Sequence, residues 1–522
     1  MGPDPALGWV RLLVRLPEPP TDHEDGERDL RARVVRQLGD VDSAGTPWRL
    51  APLFGTTDAA DLWRWWTVSG VIPALPAYDH SRVAYDLASM LAREPDLHVD
   101  PDLPASAFGL DVAPLPATQP LPEAIATGDG AHLPAAADRM WALDAARVRA
   151  AWELPPQPGG RARGEGVLIG HIDTGYTDHP ELERAALDLD RDRDVLDNDD
   201  DARDPLRRRF LMPLDSPGHG THTGSVIAGR VQGEIAGAAP LATLVPIRAI
   251  HSVVQVLDGD VARAVDVARA RGCHVISMSL GGRGFVGLRD AIRAAVADGL
   301  IVMAAAGNKV GFVVAPASYP ECIAVAATNA DSRPWTGSSR GALVDISAPG
   351  ESVWSATVDL DTTPPSFDRR QHTGTSFAVA TLAGVAALWL AHWGPQRVRE
   401  RYGSAGVQRA FVALLRAHGH RVPPGWRENG WDRTFGVGIV DALALLEAGL
   451  PDLPEAAPAA VPATVEEPVR RLWAALGELT AEQVREAVIH LITYVGTPSS
   501  GHLHQAGERA IEAHVAALDA EG

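Results

Sequence analysis

Four short segments of this sequence carry side chains that could perform nucleophilic catalysis together. A serine hydroxyl becomes a nucleophile when an imidazole takes its proton, and a carboxylate can hold that imidazole in one tautomer. Each segment alone is weak, because an Asp-Thr-Gly after a strand is usually a turn and a serine before an apolar helix is usually an N-cap. The segments are Ile172-Asp173-Thr174-Gly175, Gly218-His219-Gly220-Thr221-His222, Ala304-Ala305-Ala306-Gly307-Asn308 and Gly374-Thr375-Ser376-Phe377-Ala378.

The surrounding pattern indicates how these segments could meet. From Asp138 onward short apolar strands alternate with helices, which predicts a parallel sheet covered on both faces. Such sheets place their sites at the carboxyl ends of the strands. The Asp173 and Asn308 segments each follow a strand, and the His219 and Ser376 segments each open an apolar helix. The predicted strands are 167–172, 242–249, 274–279, 300–305, 323–327 and 343–346, and two of the predicted helices are 259–271 and 288–298.

In this order and at these positions, the four segments resemble those of the subtilisin-like serine proteases, the subtilase family. The resemblance runs from about Met140, with MWALDAARVRAAWEL and then GEGVLIGHIDTG, to about Gly449, at the end of FGVGIVDALALLEAG. It implies an α/β catalytic domain with a parallel sheet. It also implies a serine endopeptidase (EC 3.4.21) that hydrolyses peptide bonds through an acyl-enzyme.

The resemblance assigns a role to each motif residue. Ser376 is the expected nucleophile, and His219 is expected to take its proton and later to protonate the leaving amine. Asp173 is expected to hold the imidazole tautomer. Asn308 is expected to donate its side-chain amide to the oxyanion, with the backbone N–H of Ser376 as the second donor. His222, three residues after His219, is expected to be structural.

Two stretches depart from the commonest family pattern. After His-Gly-Thr-His the family usually has Val-Ala-Gly, and this chain has Thr223-Gly224-Ser225. After Gly-Thr-Ser it usually has Met-Ala-x-Pro, and this chain has Phe377-Ala378-Val379-Ala380. Neither exchange removes a reacting group, so we expect them to affect the rate and the shape of the pocket.

The resemblance also implies a cleft whose backbone walls pair with an extended peptide. Val314 falls where the family closes the base of its P1 pocket, and a β-branched residue there indicates a shallow pocket. Lys309 follows Asn308 near the rim of that pocket. It is either a solvated surface residue or a determinant that favours an acidic or polar P1 side chain. The wall residues are Ser279, Leu280, Gly281, Gly282, Ala305 and Gly307.

An aspartate-rich run at 188–204 contains nine aspartates. Family members often bind structural Ca²⁺ in loops between the Asp and His motifs, so a calcium loop is one interpretation. The run is not an EF-hand, because Arg193 stands where that loop needs glycine and Asp199 where it needs glutamate. The alternative is a solvated acidic loop paired with Arg191, Arg193 and Arg207–Arg209. No metal ligand is assigned, and no other cofactor is expected.

Residues 1–100 predict a separate α+β domain. Strands at 9–16, 48–54, 62–68 and 97–99, with helices at 27–38 and 81–93, follow the β-α-β-β-α-β order of a ferredoxin-like fold. Its position ahead of the catalytic domain resembles that of the inhibitory propeptide of the family. The resemblance therefore implies a zymogen.

Two segments rich in proline and alanine, 101–137 and 450–467, predict linkers. They separate the N-terminal domain from a catalytic domain at 138–449 and from a C-terminal region at 468–522. That region predicts a small domain of three helices, one of which begins at a capping box of Thr480 and Gln483. We expect this domain to bind a protein partner as an input or assembly module.

The composition excludes other functions. The 522 residues include 47 Lys and Arg against 67 Asp and Glu, a net charge of −20, which argues against binding to nucleic-acid phosphates. Cys273 and Cys322 lie in apolar runs and are expected to be buried thiols. The first apolar run contains Arg11 and Arg15, and no stretch reaches the roughly 18 apolar residues of a membrane span. We therefore expect a cytoplasmic protein with no membrane span.

The sequence predicts a serine endopeptidase that acts on a protein or peptide and is held in check by its N-terminal domain. One alternative is a catalytically silent scaffold that binds peptides, although no triad residue is missing. Another is a regulated cytosolic protease of a bacterial peptide-processing or defence pathway, with the C-terminal helices as its input module.

Overall fold

The computed structural model of the chain describes residues 7–55, 57–73, 77–102, 138–207, 216–230, 234–255, 258–282, 284–308, 313–341, 343–362, 364–422 and 436–453. The predicted linkers lie outside these ranges, except for Pro101, Asp102 and residues 450–453. The predicted three-helix region at 468–522 and Lys309 also lie outside them.

In the described part of residues 7–102, four antiparallel strands carry two helices on one face. Alternation along the first strand turns Val10, Leu12 and Val14 toward the helices and Leu13 toward the opposite face. The sheet order is β2-β3-β1-β4. The elements are β1 (Leu7–Arg15), α1 (His23–Leu38), β2 (Arg49–Pro52), β3 (Trp65–Pro73), α2 (Ala77–Leu91) and β4 (His98–Asp102).

Predicted boundaries in this region differ from the structure by up to five residues, and two of the differences have a clear physical cause. The predicted strand at 62–68 begins as a 3₁₀-helix over Ala60–Arg64, where the Trp63 indole donates to the Thr57 carbonyl at 3.0 Å and closes a turn. The last strand runs to Asp102, two residues past the predicted end of the domain. β4 is an edge strand, and an edge position tolerates Pro101.

The larger unit is built on a nine-stranded sheet in the described ranges, with helices on both faces. Its order is β16-β17-β13-β12-β11-β9-β5-β7-β6, parallel except for β16. These strands are β5 (Leu168–Asp173), β6 (Arg193–Asp194), β7 (Thr243–Arg248), β9 (Val275–Met278), β11 (Ile301–Ala305), β12 (Ile323–Thr328), β13 (Ile346–Pro349), β16 (His420–Arg421) and β17 (Ile439–Val440).

The strand predicted at 343–346 is wrong, because Val344 N–H donates to the Gly341 carbonyl in a turn (3.2 Å) and the strand starts at Ile346.

The remaining elements cover this sheet or flank its carboxyl edge. The helices are α3 (Trp141–Ala145), α4 (Val148–Trp152), α5 (His219–Ala228), α6 (Asp258–Ala270), α7 (Val286–Ala297), α8 (Thr375–Trp393), α9 (Pro395–Tyr402), α10 (Val407–Ala417) and α11 (Ala442–Glu447). Two short pairs complete the set: β8 (Val254–Gln255) with β10 (Gly281–Gly282), and β14 (Val353–Asp359) with β15 (Ser366–His372).

Helix α8 forms the centre of the larger core. Of the helices in the described ranges, it is the one long and apolar enough to cross a membrane by length and composition, and all of it is buried inside the protein. A helix that is apolar on every side is stable when it is surrounded by other elements. Its first residues, Thr375 and Ser376, are thereby held in a fixed place at the edge of the sheet.

The free face of the N-terminal sheet packs on α6 and α7. Leu13 and Trp65 join the same hydrophobic cluster as Val265 and Leu288. The Trp65 ring lies edge-on to Phe285, with centroids 5.6 Å apart. At the other end of the described chain, residues 450–453 still pack on the larger unit through Leu450 and Leu453, past the predicted boundary at 449.

Candidate active site

Asp173 and His219 meet at the carboxyl edge of the sheet. Asp173 ends β5 and is fully buried, and its Oδ1 accepts a hydrogen bond from His219 Nδ1 at 2.8 Å. A carboxylate can only accept, so Nδ1 carries the proton and Nε2 of the neutral ring is left as a base. Burial by itself raises the pKa of Asp173. The hydrogen bond from His219, together with the positive charge of its imidazolium form, outweighs burial, so the pKa of Asp173 lies below its ordinary value.

Two glycines let these motifs approach each other. Gly175 has φ of 103°, a conformation that favours glycine, and a Cβ on Gly220 would overlap the Gly175 carbonyl oxygen. Asp204, the last aspartate of the acidic run, ties the two loops together. Its Oδ2 accepts from Thr174 Oγ1 at 2.8 Å and from Gly218 N–H at 2.7 Å. The separation of Asp173 and His219 is therefore set by backbone contact.

Ser376 lies in the first turn of α8, where helical N–H groups have no partner within the helix. Its hydroxyl donates to the Ser279 carbonyl over a long 3.5 Å, and Ser279 Oγ donates to the Ser376 carbonyl at 3.1 Å. Within the described residues no hydrogen bond joins Ser376 to His219. The His219 ring centroid is 6.5 Å from that of Phe377, the residue after Ser376. Catalytic hydrogen bonds are often long before substrate binds.

The side-chain amide of Asn308 is oriented by Thr375. Asn308 Oδ1 accepts from the Thr375 N–H and from Thr375 Oγ1, both at 2.9 Å. Nδ2 is therefore the part of the amide left to donate elsewhere. Nδ2 and the Ser376 nitrogen lie 3.2 and 3.7 Å from the point that a Cβ on Gly374 would occupy, so the two donors share one small space. Converging N–H donors of this kind stabilise an oxyanion.

Replacing Asn308 with alanine is expected to lower kcat by about 10²–10³ and to leave KM nearly unchanged, because an oxyanion donor acts mainly in the transition state. Steady-state kinetics on a chromogenic peptide measure both constants. The matched control is Asn329→Ala, since the Asn329 side chain caps a turn by accepting from Asp331 and Arg333 N–H groups. An effect on KM alone would assign Asn308 to substrate binding instead.

A stack of aromatic rings, which the sequence pattern does not predict, lies beside His219. His222 stacks on His372 and His372 on Phe377, with centroids 4.6 and 5.6 Å apart. Burial lowers the pKa of His372 to about 4, and burial with the neighbouring histidines puts the pKa of His222 well below its ordinary value. Both rings are neutral at pH 7 and add no charge next to His219. The sequence signal was the placement of His372 four residues before Ser376.

Two of the residues that depart from the family pattern, Thr223 and Ser225, make hydrogen bonds near the site. Ser225 Oγ accepts from the Ala356 N–H at 2.9 Å and donates to the His222 carbonyl at 2.7 Å, which ties α5 to the β14–β15 hairpin. Thr223 Oγ1 donates to Asp173 Oδ2 at 3.1 Å. These residues change the support of the site and leave its reacting groups in place.

Part of the backbone of the predicted cleft wall is hydrogen-bonded to other segments of the protein. The Gly281 N–H donates to the Val253 carbonyl at 3.0 Å, and the Gly282 N–H donates to the Ala315 carbonyl at 2.8 Å. A Cβ on Gly281 would overlap the Val314 side chain, so Val314 occupies the space next to the Gly281 backbone. Lys309 lies outside the described residues. The other predicted wall residues lie at the carboxyl ends of two neighbouring parallel strands: Ser279 and Leu280 follow β9, Ala305 ends β11 and Gly307 follows it.

The aspartate-rich run is a loop paired with arginines. Arg248 binds both Asp194 and Asp197, and Asp200 pairs with Arg193 at 3.3 Å and with Arg271 at 3.0 Å. Across the described ranges, no group of three or more His, Cys, Asp or Glu side chains is arranged to hold a metal ion. These ion pairs are the ones that the acidic-loop alternative expects.

The cysteines lie in the interior of the larger unit. Cys273 and Cys322 are both free and buried. Burial raises the pKa of the Cys273 thiol to about 12 and that of Cys322 well above its ordinary value. Thiols held protonated in this way are poor nucleophiles.

Comparison with known proteins identifies the family. The family model of the subtilase family matches residues 164–438. Thermitase of Thermoactinomyces vulgaris is 34% identical over 45% of this chain and 78% of its own length. The chain therefore belongs to the subtilase family, and it is a serine endopeptidase. An extracellular protease of Xanthomonas campestris is 31% identical over 58% of this chain and 54% of that protein. A solved protease structure from Pseudoalteromonas arctica has 26% identity and a TM-score of 0.49, over 58% of this chain and 94% of that chain.

Proposed function

We propose that the chain hydrolyses peptide bonds through Ser376, His219 and Asp173, with Asn308 and the Ser376 N–H as oxyanion donors. The observation that carries this proposal is the 2.8 Å hydrogen bond between Asp173 and His219 beside the start of α8. His219 Nε2 takes the proton of Ser376 Oγ as the hydroxyl attacks the substrate carbonyl. The same nitrogen returns the proton to the leaving amine, and water then hydrolyses the acyl-enzyme.

The electrostatics of the site favour these steps. The buried carboxylate of Asp173 stabilises the positive imidazolium that forms when the serine is deprotonated. The neutral rings of His222 and His372 add no positive charge that would oppose it. A negative charge developing on the carbonyl oxygen would meet the two N–H donors of Asn308 and Ser376.

The substrate is an extended peptide with a small P1 side chain. The wall from Ser279 to Gly282 runs beside Ser376, as its hydrogen bonds with Ser279 indicate. Val314 fills space next to Gly281, and this supports a shallow P1 pocket. The residues of this wall that pair with Val253 and Ala315 in the free protein would exchange partners when a peptide enters as an added strand.

The N-terminal domain is the inhibitory propeptide of this protease. Its sheet packs on α6 and α7 through a shared hydrophobic cluster. Asp102, at the end of β4, lies next to Gly259 at the start of α6, and α6 closely follows the β8 strand that pairs with the cleft wall. The described part of the N-terminal domain therefore ends, at Asp102, near the cleft wall, and the chain continues from there into the predicted linker. Tethering places such a segment at an effective concentration in the millimolar range, so that even a weak inhibitor would occupy the cleft.

Full-length enzyme is expected to cut itself between residues 103 and 137, and activity on a peptide is expected to rise as the cut proceeds. Ser376→Ala should stay full length under the same conditions. Mass spectrometry with sequencing of the new N-termini measures the cut and shows whether P1 is small. A chain that reaches full activity with no lag and no cut would contradict self-inhibition, and the N-terminal domain would then be better explained as a substrate-recruiting module.

A further inference from the structure

The second oxygen of Asp173 leads into a buried hydrogen-bond chain. Asp173 Oδ2 accepts from Thr223 Oγ1 at 3.1 Å, and Thr223 Oγ1 lies 2.9 Å from His171 Nε2. His171 is on the same face of β5 as Asp173, because side chains two residues apart on a strand point the same way. All three side chains are buried, with His171 3% exposed and the other two at 0%.

The donor at each step follows from the chemistry. The carboxylate of Asp173 can only accept, so the single hydroxyl proton of Thr223 points to it. Thr223 Oγ1 must then accept from His171, which places the His171 proton on Nε2. Two backbone carbonyls compete for the same hydroxyl, those of His219 at 3.2 Å and Gly220 at 3.5 Å. Both are farther away and uncharged, and a bond to a charged acceptor is the stronger one.

The residue type at 223 suits a buried histidine at 171. Where the family usually has Val-Ala this chain has Thr223-Gly224, and a valine at 223 would leave His171 Nε2 without this partner. A Cβ on Gly224 would lie 3.2 Å from Leu182 Cδ2 and 3.3 Å from Leu244 Cδ1, which is tighter than most such contacts, and 3.4 Å from His171 Cε1, which is ordinary contact. The glycine at 224 thus relieves crowding by the two leucines, and the threonine at 223 supplies the hydrogen-bond partner of the His171 ring. Burial lowers the pKa of His171 despite the nearby Asp173 charge, which keeps the ring neutral.

We propose that His171 and Thr223 are positioning residues that hold the Asp173 carboxylate in line with His219 and lower its basicity. This inference rests on the proposed triad. Oδ1 of Asp173 serves His219, and the chain through Oδ2 prevents the carboxylate from rotating away. Each hydrogen bond donated to a carboxylate also disperses its charge, so the bond to His219 is weaker than it would be to a bare carboxylate.

Thr223→Val is expected to lower kcat about tenfold, the effect of one charge-assisted hydrogen bond, with KM nearly unchanged. The more basic carboxylate would hold a proton on the imidazole more strongly, so the acid limb of the kcat/KM profile should move to higher pH. Among the described residues, the titratable groups that face His219 are Asp173 and His171 from β5, His222 from α5 and His372 from β15.

Three further variants separate positioning from packing. Thr223→Ser keeps the hydroxyl and should keep both kcat and the acid limb close to wild type. His171→Phe removes the N–H but leaves the Thr223 hydroxyl on Asp173, so it should move kcat and the acid limb in the same direction as Thr223→Val by a smaller amount. The double variant should resemble Thr223→Val alone, because His171 acts only through Thr223. The control is Thr381→Val in α8, a fully buried threonine whose hydroxyl donates only to the Phe377 carbonyl among its described contacts at 2.9 Å.

Activities are measured on folded enzyme, with active sites counted by a fluorophosphonate titrant. An unchanged profile in Thr223→Val would overturn the proposal. So would a loss of activity that Thr223→Ser shares while the acid limb stays in place, since that result would describe packing alone. Failure of the triad itself is a separate result, because Ser376→Ala would then retain activity whatever Thr223 does.

Discussion

Ser376→Ala is expected to lower kcat by about 10⁶, the loss that follows removal of the nucleophile from a triad that acts as a unit. The substitution removes only a hydroxyl, whose one hydrogen bond among the described residues is the long one to Ser279. Ser376 is only 5% exposed, so its neighbours still hold the rest of the side chain and the first turn of α8 should persist. The oxyanion donors on Asn308 and on the backbone remain in place, and they account for the residual rate. The variant should therefore fold and bind peptide while cutting almost none.

Two measurements test this result together. Hydrolysis of a fluorogenic peptide gives kcat, and a fluorophosphonate probe labels an activated serine directly. The matched control is Ser277→Ala, a fully buried serine within β9, which should leave both readouts within a few-fold of wild type. Retention of most activity in Ser376→Ala would end the triad assignment. A wild-type chain that binds peptides but neither cuts nor takes the probe would instead support the silent-scaffold alternative.

Asp173→Ala is expected to lower kcat by about 10⁴, less than loss of the nucleophile because His219 can still act as a base without its orienting partner. The carboxylate accepts from His219 Nδ1, from the Thr174 N–H at 2.7 Å and from Thr223. Removing it leaves the His219 and Thr174 donors without this acceptor, at a cost of about 1–3 kcal/mol each in the free energy of unfolding. The Thr223 hydroxyl can turn instead to the His219 carbonyl, 3.2 Å away. The variant should therefore be both less active and less stable.

The loss of stability must be kept apart from the loss of rate. Asp173→Asn retains the shape of the side chain, and a comparable fall in kcat for this variant at a higher melting temperature would assign the effect to catalysis. Asp345→Asn serves as a control, since Asp345 is a carboxylate at the amino end of β13, opposite the site, that accepts from the Ala324 N–H at 3.0 Å. A fall in kcat below tenfold in folded Asp173→Ala would contradict the role given to Asp173.

Local signals predicted much of the fold. The apolar strands from 167 to 327 were placed within about two residues, because a buried strand is a short apolar run bounded by turn residues. The same signals failed at 343–346, where an apolar run lies in a turn closed by Gly341. They also failed at 62–68, where a 3₁₀ turn precedes β3, since periodicity does not distinguish these conformations over so few residues.

The amino-acid sequence alone indicates which residues can react and at which ends of which elements they stand, because strand ends, helix starts and glycine turns depend on neighbours in the chain. The surroundings of those residues depend on how distant elements pack. His171 and Thr223 are separated by 52 residues and the Asp173 carboxylate reaches both because β5 and α5 pack together. The stacking of His222 on His372 and the edge-on contact of Trp65 with Phe285 likewise join segments that are distant in the chain. Contacts between distant segments depend on how whole elements cross, and no local pattern encodes that.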